Sequence, residues 1–127
     1  MGKARPLALV VEDDPLEREL ASVVLEECEM DVVPCESAEA ATAVIEALER
    51  QPLMLFADVR LPGVLTGADL AFLVRDKFPE ARVIVTSGDD FPPPLPDGAR
   101  FMPKPWVPLE LVREATAVEM RARERGG

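Results

Sequence analysis

Leu53-Met54-Leu55-Phe56-Ala57-Asp58 is the stretch that decides the fold, because five apolar residues in a row end on a lone carboxylate. A short, continuous apolar run predicts an interior strand of a parallel sheet, buried on both faces. Open α/β sheets place their functional groups at the carboxyl ends of such strands. Asp58 is therefore a candidate functional residue, and polar residues that follow other strands are its expected neighbours.

Strand-length apolar runs alternate with helical segments along the rest of the chain. The predicted strands cover residues 7–11, 31–33, 53–57, 82–86 and 99–102. Pro34 and the shortness of the second strand indicate an edge position. Because helical segments follow all strands but the fourth, the pattern predicts an α/β fold with a mostly parallel sheet and helices on both faces.

Four helices are predicted from their capping residues and their apolar periodicity. Asp14 can cap the first and Ser37 the second, Thr66 or Gly67 opens the third, and Pro108 starts the last. Residues at helical spacing form one apolar stripe on each helix. In chain order, the stripes are Leu16, Leu20, Val23 and Val24; Ala41, Val44, Ile45 and Leu48; Leu70, Leu73 and Val74; and Leu111, Ala115 and Val118.

Residues 87–98 break this alternation. They include Pro92, Pro93, Pro94 and Pro96. Prolines remove backbone donors and favour extended conformations in the residues that precede them. A normal helix cannot form there, so we expect an extended loop or one short turn.

The composition indicates a single globular domain with an acidic surface. The chain has 127 residues, 14 basic and 24 acidic side chains and no His, which gives a formal net charge of −10. That charge repels nucleic-acid phosphate and anionic membranes, so neither is an expected partner. No apolar run approaches the ~20 residues of a membrane span, and we find no secretory signal. We expect a cytoplasmic protein with one domain over residues 1–127 and its core at about 7–121.

Polar side chains at the ends of four strands form the candidate site. Glu12 and Asp13 follow the first strand, Asp58 follows the third, Thr86 ends the fourth, and Lys104 follows the fifth. Clustered carboxylates repel one another unless a cation joins them, and an all-oxygen ligand set suits Mg²⁺. Asp13 and Asp58 could hold the metal with one backbone carbonyl, leaving an Asp58 oxygen free to attack phosphorus. Thr86 and Lys104 could then bind the phosphoryl oxygens.

Four short motifs, in this order, resemble the response-regulator receiver domain of bacterial two-component signalling. They are Val10-Val11-Glu12-Asp13-Asp14, Asp58-Val59-Arg60-Leu61-Pro62, Thr86-Ser87-Gly88 and Lys104-Pro105. The resemblance covers nearly the whole chain. It implies a flavodoxin-like, doubly wound sheet of five parallel strands in the order 2-1-3-4-5. It also implies a signalling domain and not a turnover enzyme.

The resemblance assigns roles to residues at the strand ends. Asp58 is implied to be the phosphoacceptor, and the Lys104–Pro105 bond is a candidate cis peptide. The implied metal ligands are Glu12, Asp13, Asp58 and the backbone carbonyl of Arg60. The implied switch residues are Thr86 and Phe101, and the implied phosphoryl-binding lysine is Lys104.

The chain departs from the family pattern in three places. Leu61 stands where Met is usual, and Gly67 lies one residue later than usual, which predicts a longer loop after Asp58. The segment between Thr86 and Lys104 is short and rich in proline, so the fourth helix is expected to be shortened or lost. No output domain follows within the chain, so we expect the output to be a protein contact or the phosphoryl group itself.

Because the chain has no His, the expected phosphoryl donor is a separate histidine kinase, a histidine phosphotransfer protein or a small acyl phosphate. The downstream partner is an unknown protein, and a homodimer is a further option. One alternative is a receiver-shaped binding module that works without phosphorylation, which the altered output region favours. Another is a phosphatase of the haloacid-dehalogenase type, but Arg60 replaces the second acid of its Asp-x-Asp motif.

Overall fold

Five strands and four helices alternate along residues 4–126, the part of the chain that the computed structural model describes. The strands are β1 (Leu7–Val11), β2 (Asp31–Cys35), β3 (Pro52–Asp58), β4 (Arg82–Ser87) and β5 (Arg100–Pro103). The helices are α1 (Pro15–Glu27), α2 (Ala38–Ala47), α3 (Gly67–Lys77) and α4 (Pro108–Gly126). No helix within this part of the chain is long and apolar enough to cross a membrane.

The sheet is parallel throughout and has the order β2-β1-β3-β4-β5, which confirms the order that the family resemblance implied. Its two innermost pairings bring Val11 beside Ala57 and Asp58 beside Thr86. The carboxyl ends of the central strands therefore meet at one edge, which is where the candidate site was expected.

Helices cover both faces of the sheet, because side chains alternate along each strand. One core forms against α2 and α3, and its buried sheet residues are Leu9, Val11, Cys35, Leu55, Ala57, Val83 and Val85. The other forms against α1 and α4, and its buried sheet residues are Ala8, Val10, Met54, Phe56, Ile84 and Met102. Trp106 closes the second core edge-on to Phe56, with ring centroids 5.3 Å apart.

Polar side chains begin the helices where capping was expected. Asp14 Oδ1 accepts hydrogen bonds from the backbone N–H of Leu16 and Glu17, at 2.8 and 3.2 Å. Ser37 caps α2. Thr66 caps α3 through a reciprocal capping box with Asp69, which decides between the two starting residues that the sequence left open for this helix. These caps satisfy N–H groups that the first helical turn leaves unpaired.

Three of the four residues in the apolar stripe predicted for α1 do not face the core, whereas the fourth, Val24, packs against it. Leu16, Leu20 and Val23 are 77%, 49% and 46% exposed, whereas Ala21 and Leu25 are completely buried. The core contact of α1 is made instead by Ala21 and Leu25, with Val24 packed beside them. The other three predicted stripes supply buried core residues, among them Ala41, Leu70 and Leu111; for this reason the discrepancy is confined to α1.

Strand boundaries differ from the predicted ones by one or two residues. The largest difference is in β2, which continues through Pro34 to Cys35. Proline is compatible with this position because β2 is an edge strand and needs hydrogen bonds on one side only.

Residues 88–99, between β4 and β5, contain no helix, and this confirms the expected loss. The segment ends with a turn at Asp97 and Gly98, and Gly98 has a positive φ of 79°. Leu95 packs against the core on the α2 and α3 face, while Phe91 is 84% exposed. The prolines thus replace a helix with a loop. The loop packs against the core near its end, at Leu95, and exposes the Phe91 ring nearer its start.

Candidate functional site

The Asp58 carboxylate lies at the carboxyl end of β3 and is only 6% exposed. Its Oδ2 accepts a 2.6 Å hydrogen bond from Nζ of Lys104, and its Oδ1 accepts one of 3.0 Å from the backbone N–H of Arg60. Each oxygen therefore has a donor, and the side chain is fixed in one orientation.

Lys104 reaches Asp58 from the neighbouring end of β5. Its backbone N–H donates to the carbonyl of Ser87 at 2.8 Å, and the peptide bond to Pro105 is cis, as the resemblance implied. Its Nζ also lies 3.5 Å from Glu12 and 3.2 Å from Glu17. Burial opposes the charged ammonium, but the hydrogen bond to Asp58 and these nearby acids raise the pKa of Lys104 above its ordinary value. The lysine is therefore a permanent cation at the site.

Three carboxylates gather beside this lysine. Glu12, Asp13 and Asp58 each offer an oxygen within 4.8 Å of the others. Glu12 is 3% exposed, whereas Asp13 is open to solvent. Burial first, and then the hydrogen bond and repulsion from Asp58, raise the pKa of Glu12 to about 8. The single Lys104 cation does not offset this negative charge.

The chemistry of these donors fits a divalent cation. All three are carboxylates, and hard ions such as Mg²⁺ prefer oxygen ligands and keep several waters. The exposed Asp13 leaves one side of the cluster open to solvent. Burial is the main reason that the pKa of Glu12 is raised, and a cation bound beside the three carboxylates would favour their ionised forms.

The Thr86 hydroxyl is completely buried and has no hydrogen-bond partner among residues 4–126. The residue aligns with Asp58 in the β3–β4 pairing, and its backbone carbonyl accepts from the N–H of Val59 at 2.9 Å. Buried hydroxyls normally have a partner, and an unpaired one costs stability. The structure thus places a free donor one strand away from the phosphoacceptor candidate.

Two other predicted residues lie near the site without a contact that defines their role. Phe101 is half-buried in β5 and aligns with Val85 of β4. Arg60 follows Asp58 by two residues, and it is its N–H, not its carbonyl, that contacts Asp58. The aromatic-switch role and the carbonyl ligand both stay predictions.

The sequence reasoning missed Glu17 and Arg18, in the first turns of α1. The Glu17 carboxylate accepts a hydrogen bond from Lys104 Nζ. Arg18 Nη1 donates a hydrogen bond to the backbone carbonyl of Glu12 at 2.8 Å. Glu17 follows Asp13 by four residues, which places both on one side of the helix start. That spacing could have indicated a fourth acid near the site.

Gly67, which the family pattern singles out, lies against the backbone of Asp58. A Cβ at this position would lie 1.9 Å from the carbonyl oxygen of Asp58, well inside contact distance. Its N–H donates to the Val59 carbonyl at 2.9 Å. Only glycine allows the start of α3 to lie directly against the backbone of the phosphoacceptor candidate.

Comparisons with known proteins agree with this geometry. The family model described as "Response regulator receiver domain" matches residues 8–112. The hydrogenase transcriptional regulatory protein HoxA of Cupriavidus necator is 32% identical over 129 residues, covering 94% of this chain and 26% of that protein. A response regulator receiver protein of Anaeromyxobacter sp. is 40% identical over 76 residues, covering 60% of this chain and 30% of that protein. The chain thus spans less than a third of the length of these curated relatives.

Solved structures share the same architecture. The receiver domain of the hybrid histidine kinase CckA superposes with a TM-score of 0.74 at 26% identity, covering 88% of this chain and 97% of that one. A CheY-like receiver domain protein from Methanospirillum hungatei superposes with a TM-score of 0.76 at 21% identity, covering 97% and 99%. With the sheet order and the family match over most of its length, the chain belongs to the response regulator receiver domains of two-component systems.

Proposed function

We propose that Asp58 accepts a phosphoryl group from a phosphohistidine on a separate protein, with Mg²⁺ bound at the acidic cluster. One observation carries the proposal: a buried Asp58 carboxylate lies 2.6 Å from Lys104, within the Glu12 and Asp13 cluster. The unpaired Thr86 hydroxyl on the next strand supports it. The receiver unit would cover residues 7–121.

The transfer breaks a phosphorus–nitrogen bond in the donor and forms a phosphorus–oxygen bond to Asp58. A carboxylate oxygen of Asp58 attacks phosphorus, and the bond between phosphorus and the donor's imidazole nitrogen breaks. The electron pair of that bond stays on the nitrogen, and the product is an acyl phosphate on Asp58. Hydrolysis by water later returns the carboxylate and releases phosphate.

The protein's own groups would stabilise the added charge. Lys104 supplies a fixed cation, and Thr86 can donate its free hydroxyl hydrogen to a phosphoryl oxygen. Asp13, Asp58 and the backbone carbonyl of Arg60 would hold Mg²⁺, with Glu12 beside them. When bound, the ion supplies the positive charge that lets these acids ionise together and offsets the charge of the phosphoryl group.

The phosphoryl donor would be a histidine kinase or a histidine phosphotransfer protein, because this chain contains no His. The outward stripe of α1, formed by Leu16, Leu20 and Val23, supports a docked donor. It begins two residues after Asp14 and leaves large apolar side chains uncovered. The output would be a protein contact or onward phosphoryl transfer.

Acetyl phosphate labelling tests the proposal without the natural donor. With MgCl₂ present, intact mass spectrometry should show one added phosphate on the wild type and none on Asp58→Asn. Asp97→Asn, which changes an exposed aspartate in a distant turn, should label like the wild type. An unlabelled wild type, or equal labelling of Asp58→Asn, would contradict the proposal and favour a binding module that works without phosphorylation.

A further inference from the structure

An ion pair joins the two loops that flank the phosphoacceptor. Arg60, in the loop after β3, donates from Nε and Nη2 to the two carboxylate oxygens of Asp89, in the loop after β4, at 3.1 and 2.9 Å. This bidentate contact links residues that are 29 positions apart in the chain. It therefore fixes the start of the proline-rich segment 88–99 to the loop that carries Arg60.

Both members of the pair are fixed to the site by shorter-range contacts. The Arg60 N–H donates to Asp58 Oδ1 at 3.0 Å. The Asp89 N–H donates to Ser87 Oγ at 3.2 Å, and Ser87 directly follows Thr86. The guanidinium is thus attached within two residues of the phosphoacceptor, and its partner within three residues of the unpaired hydroxyl.

This ion pair can be exchanged at little cost. The Arg60 and Asp89 side chains are 78% and 49% exposed, and ion pairs this open to solvent contribute little to stability. A phosphoryl group carries a charge of about −1.5 to −2, against −1 for a carboxylate, and presents oxygens that match the guanidinium fork. A phosphorylated Asp58 therefore offers Arg60 more negative charge and more acceptor oxygens than Asp89 does.

Loss of the pair would loosen residues 88–99 at one end only, where the contacts of Asp89 with Ser87 Oγ, 3.2 Å from its N–H and 3.4 Å from its Oδ2, would be the ones left. Leu95 is packed against the core, and Pro96 is buried. Gly88 and Asp90 are exposed, and Phe91, 84% exposed, lies two residues after Asp89. The surface that changes would therefore be the one around Phe91, which is where a partner could read the phosphorylation state.

We propose that the Arg60 side chain binds the phosphoryl group on Asp58, and that Asp89 binds it when Asp58 is not phosphorylated. When the Arg60 guanidinium moves from Asp89 to the phosphoryl group, residues 88–91 lose this contact and become more mobile. The inference rests on the proposed phosphoacceptor function. It assigns to the Arg60 side chain a role distinct from the metal-binding role expected of its backbone carbonyl.

NMR of ¹⁵N-labelled protein tests the inference, with beryllofluoride and Mg²⁺ mimicking the phosphoryl group. In the wild type, beryllofluoride should shift the Arg60 Nε–H resonance. It should also lower the amide order parameters of residues 88–91 from about 0.85 towards about 0.6. In Asp89→Asn the order parameters should already be low without beryllofluoride, and in Arg60→Gln they should be low in both states. Arg50→Gln, which removes an exposed ion pair to Asp31 elsewhere, should behave like the wild type.

The outcomes separate this inference from the function on which it rests. Fluorine NMR of the bound beryllofluoride reports binding at Asp58 directly, and a wild type that binds none contradicts both proposals. Normal binding with an unchanged Arg60 Nε–H resonance overturns the exchange of Arg60 alone. Residues 88–91 that stay as rigid in Asp89→Asn as in the wild type overturn it as well.

Discussion

At the scale of single residues, the site stores negative charge that the protein only partly offsets. Glu12, Asp13 and Asp58 converge, Glu17 lies close by, and Lys104 contacts three of these four acids. Buried charges without sufficient partners are costly, and clusters of this kind are typical of functional sites. A cation and a phosphoryl group, each in its turn, would make use of that arrangement.

Thr86→Val tests whether the buried hydroxyl serves function at the expense of stability. Valine has the same shape and removes an oxygen that has no partner among residues 4–126. We expect the free energy of unfolding in urea to rise by about 1 kcal/mol, while labelling by acetyl phosphate slows. A variant less stable than the wild type would show that the hydroxyl contributes a stabilising interaction in the resting protein.

Gly67→Ala tests the close contact between α3 and the phosphoacceptor backbone. The new methyl group would lie 1.9 Å from the Asp58 carbonyl oxygen, so the helix start must shift. We expect a loss of roughly 1–3 kcal/mol in the free energy of unfolding together with weaker labelling of Asp58. Gly88→Ala is the matched control, because a Cβ there meets nothing within 4 Å. Equal stability of the two variants would contradict this account.

At the residue scale, the sequence predicts the groups that strands bring together and misses those set by close backbone contacts. Glu12, Asp58 and Lys104 could be predicted because parallel strands end at a common edge. The ion pair of Arg60 with Asp89 depends on how two irregular loops approach each other, and no periodic pattern encodes that approach.

At the scale of secondary-structure elements, hydrophobic periodicity identifies a helix better than it identifies which face is buried. Leu16, Leu20 and Val23 of α1 are exposed, and its core contact is made by Ala21, Val24 and Leu25. Periodicity alone cannot separate a buried stripe from an exposed docking stripe. The lost helix after β4 was predictable, since three consecutive prolines prevent it.

Glu114 connects α4 to two neighbouring strands of the sheet, β4 and the edge strand β5. It accepts from Arg82 of β4 at 2.5 Å and from Arg100 of β5 at 2.7 Å. The hydrogen bond from Arg82, and then the one from Arg100, lower the pKa of Glu114 below its ordinary value of 4.5, although burial opposes this. The carboxylate is thus more stable as an anion in the folded protein than in the unfolded chain.

Glu114→Gln should therefore reduce stability in a pH-dependent way. A lowered folded pKa gives stability that is present above the unfolded pKa and is lost as pH falls through the folded value. At pH 7 we expect the variant to be less stable by about 1–2 kcal/mol. Below pH 4.5 that difference should shrink, and urea unfolding of both proteins from pH 7 to pH 3 measures it. A difference that is constant over this range would exclude an ionised Glu114 as its cause.

At the scale of the whole molecule, salt screens the self-repulsion that a net charge of −10 causes, so a specific Mg²⁺ effect must be separated from screening. We expect MgCl₂ to raise the melting temperature more than NaCl of equal ionic strength. At ten times its Kd, Mg²⁺ should add roughly 1.4 kcal/mol. Asp13→Asn should abolish this excess, because it removes the solvent-exposed member of the cluster. Identical melting curves in the two salts would argue against the metal site.

The central claim is that Asp58 itself becomes an acyl phosphate, and chemical trapping tests it most directly. Borohydride reduces an acyl phosphate on aspartate to homoserine, which peptide mass spectrometry can locate in the chain. After treatment with acetyl phosphate and Mg²⁺, we predict homoserine at position 58 and at no other aspartate. Homoserine elsewhere, or unmodified Asp58 in protein that has gained phosphate, would contradict the account.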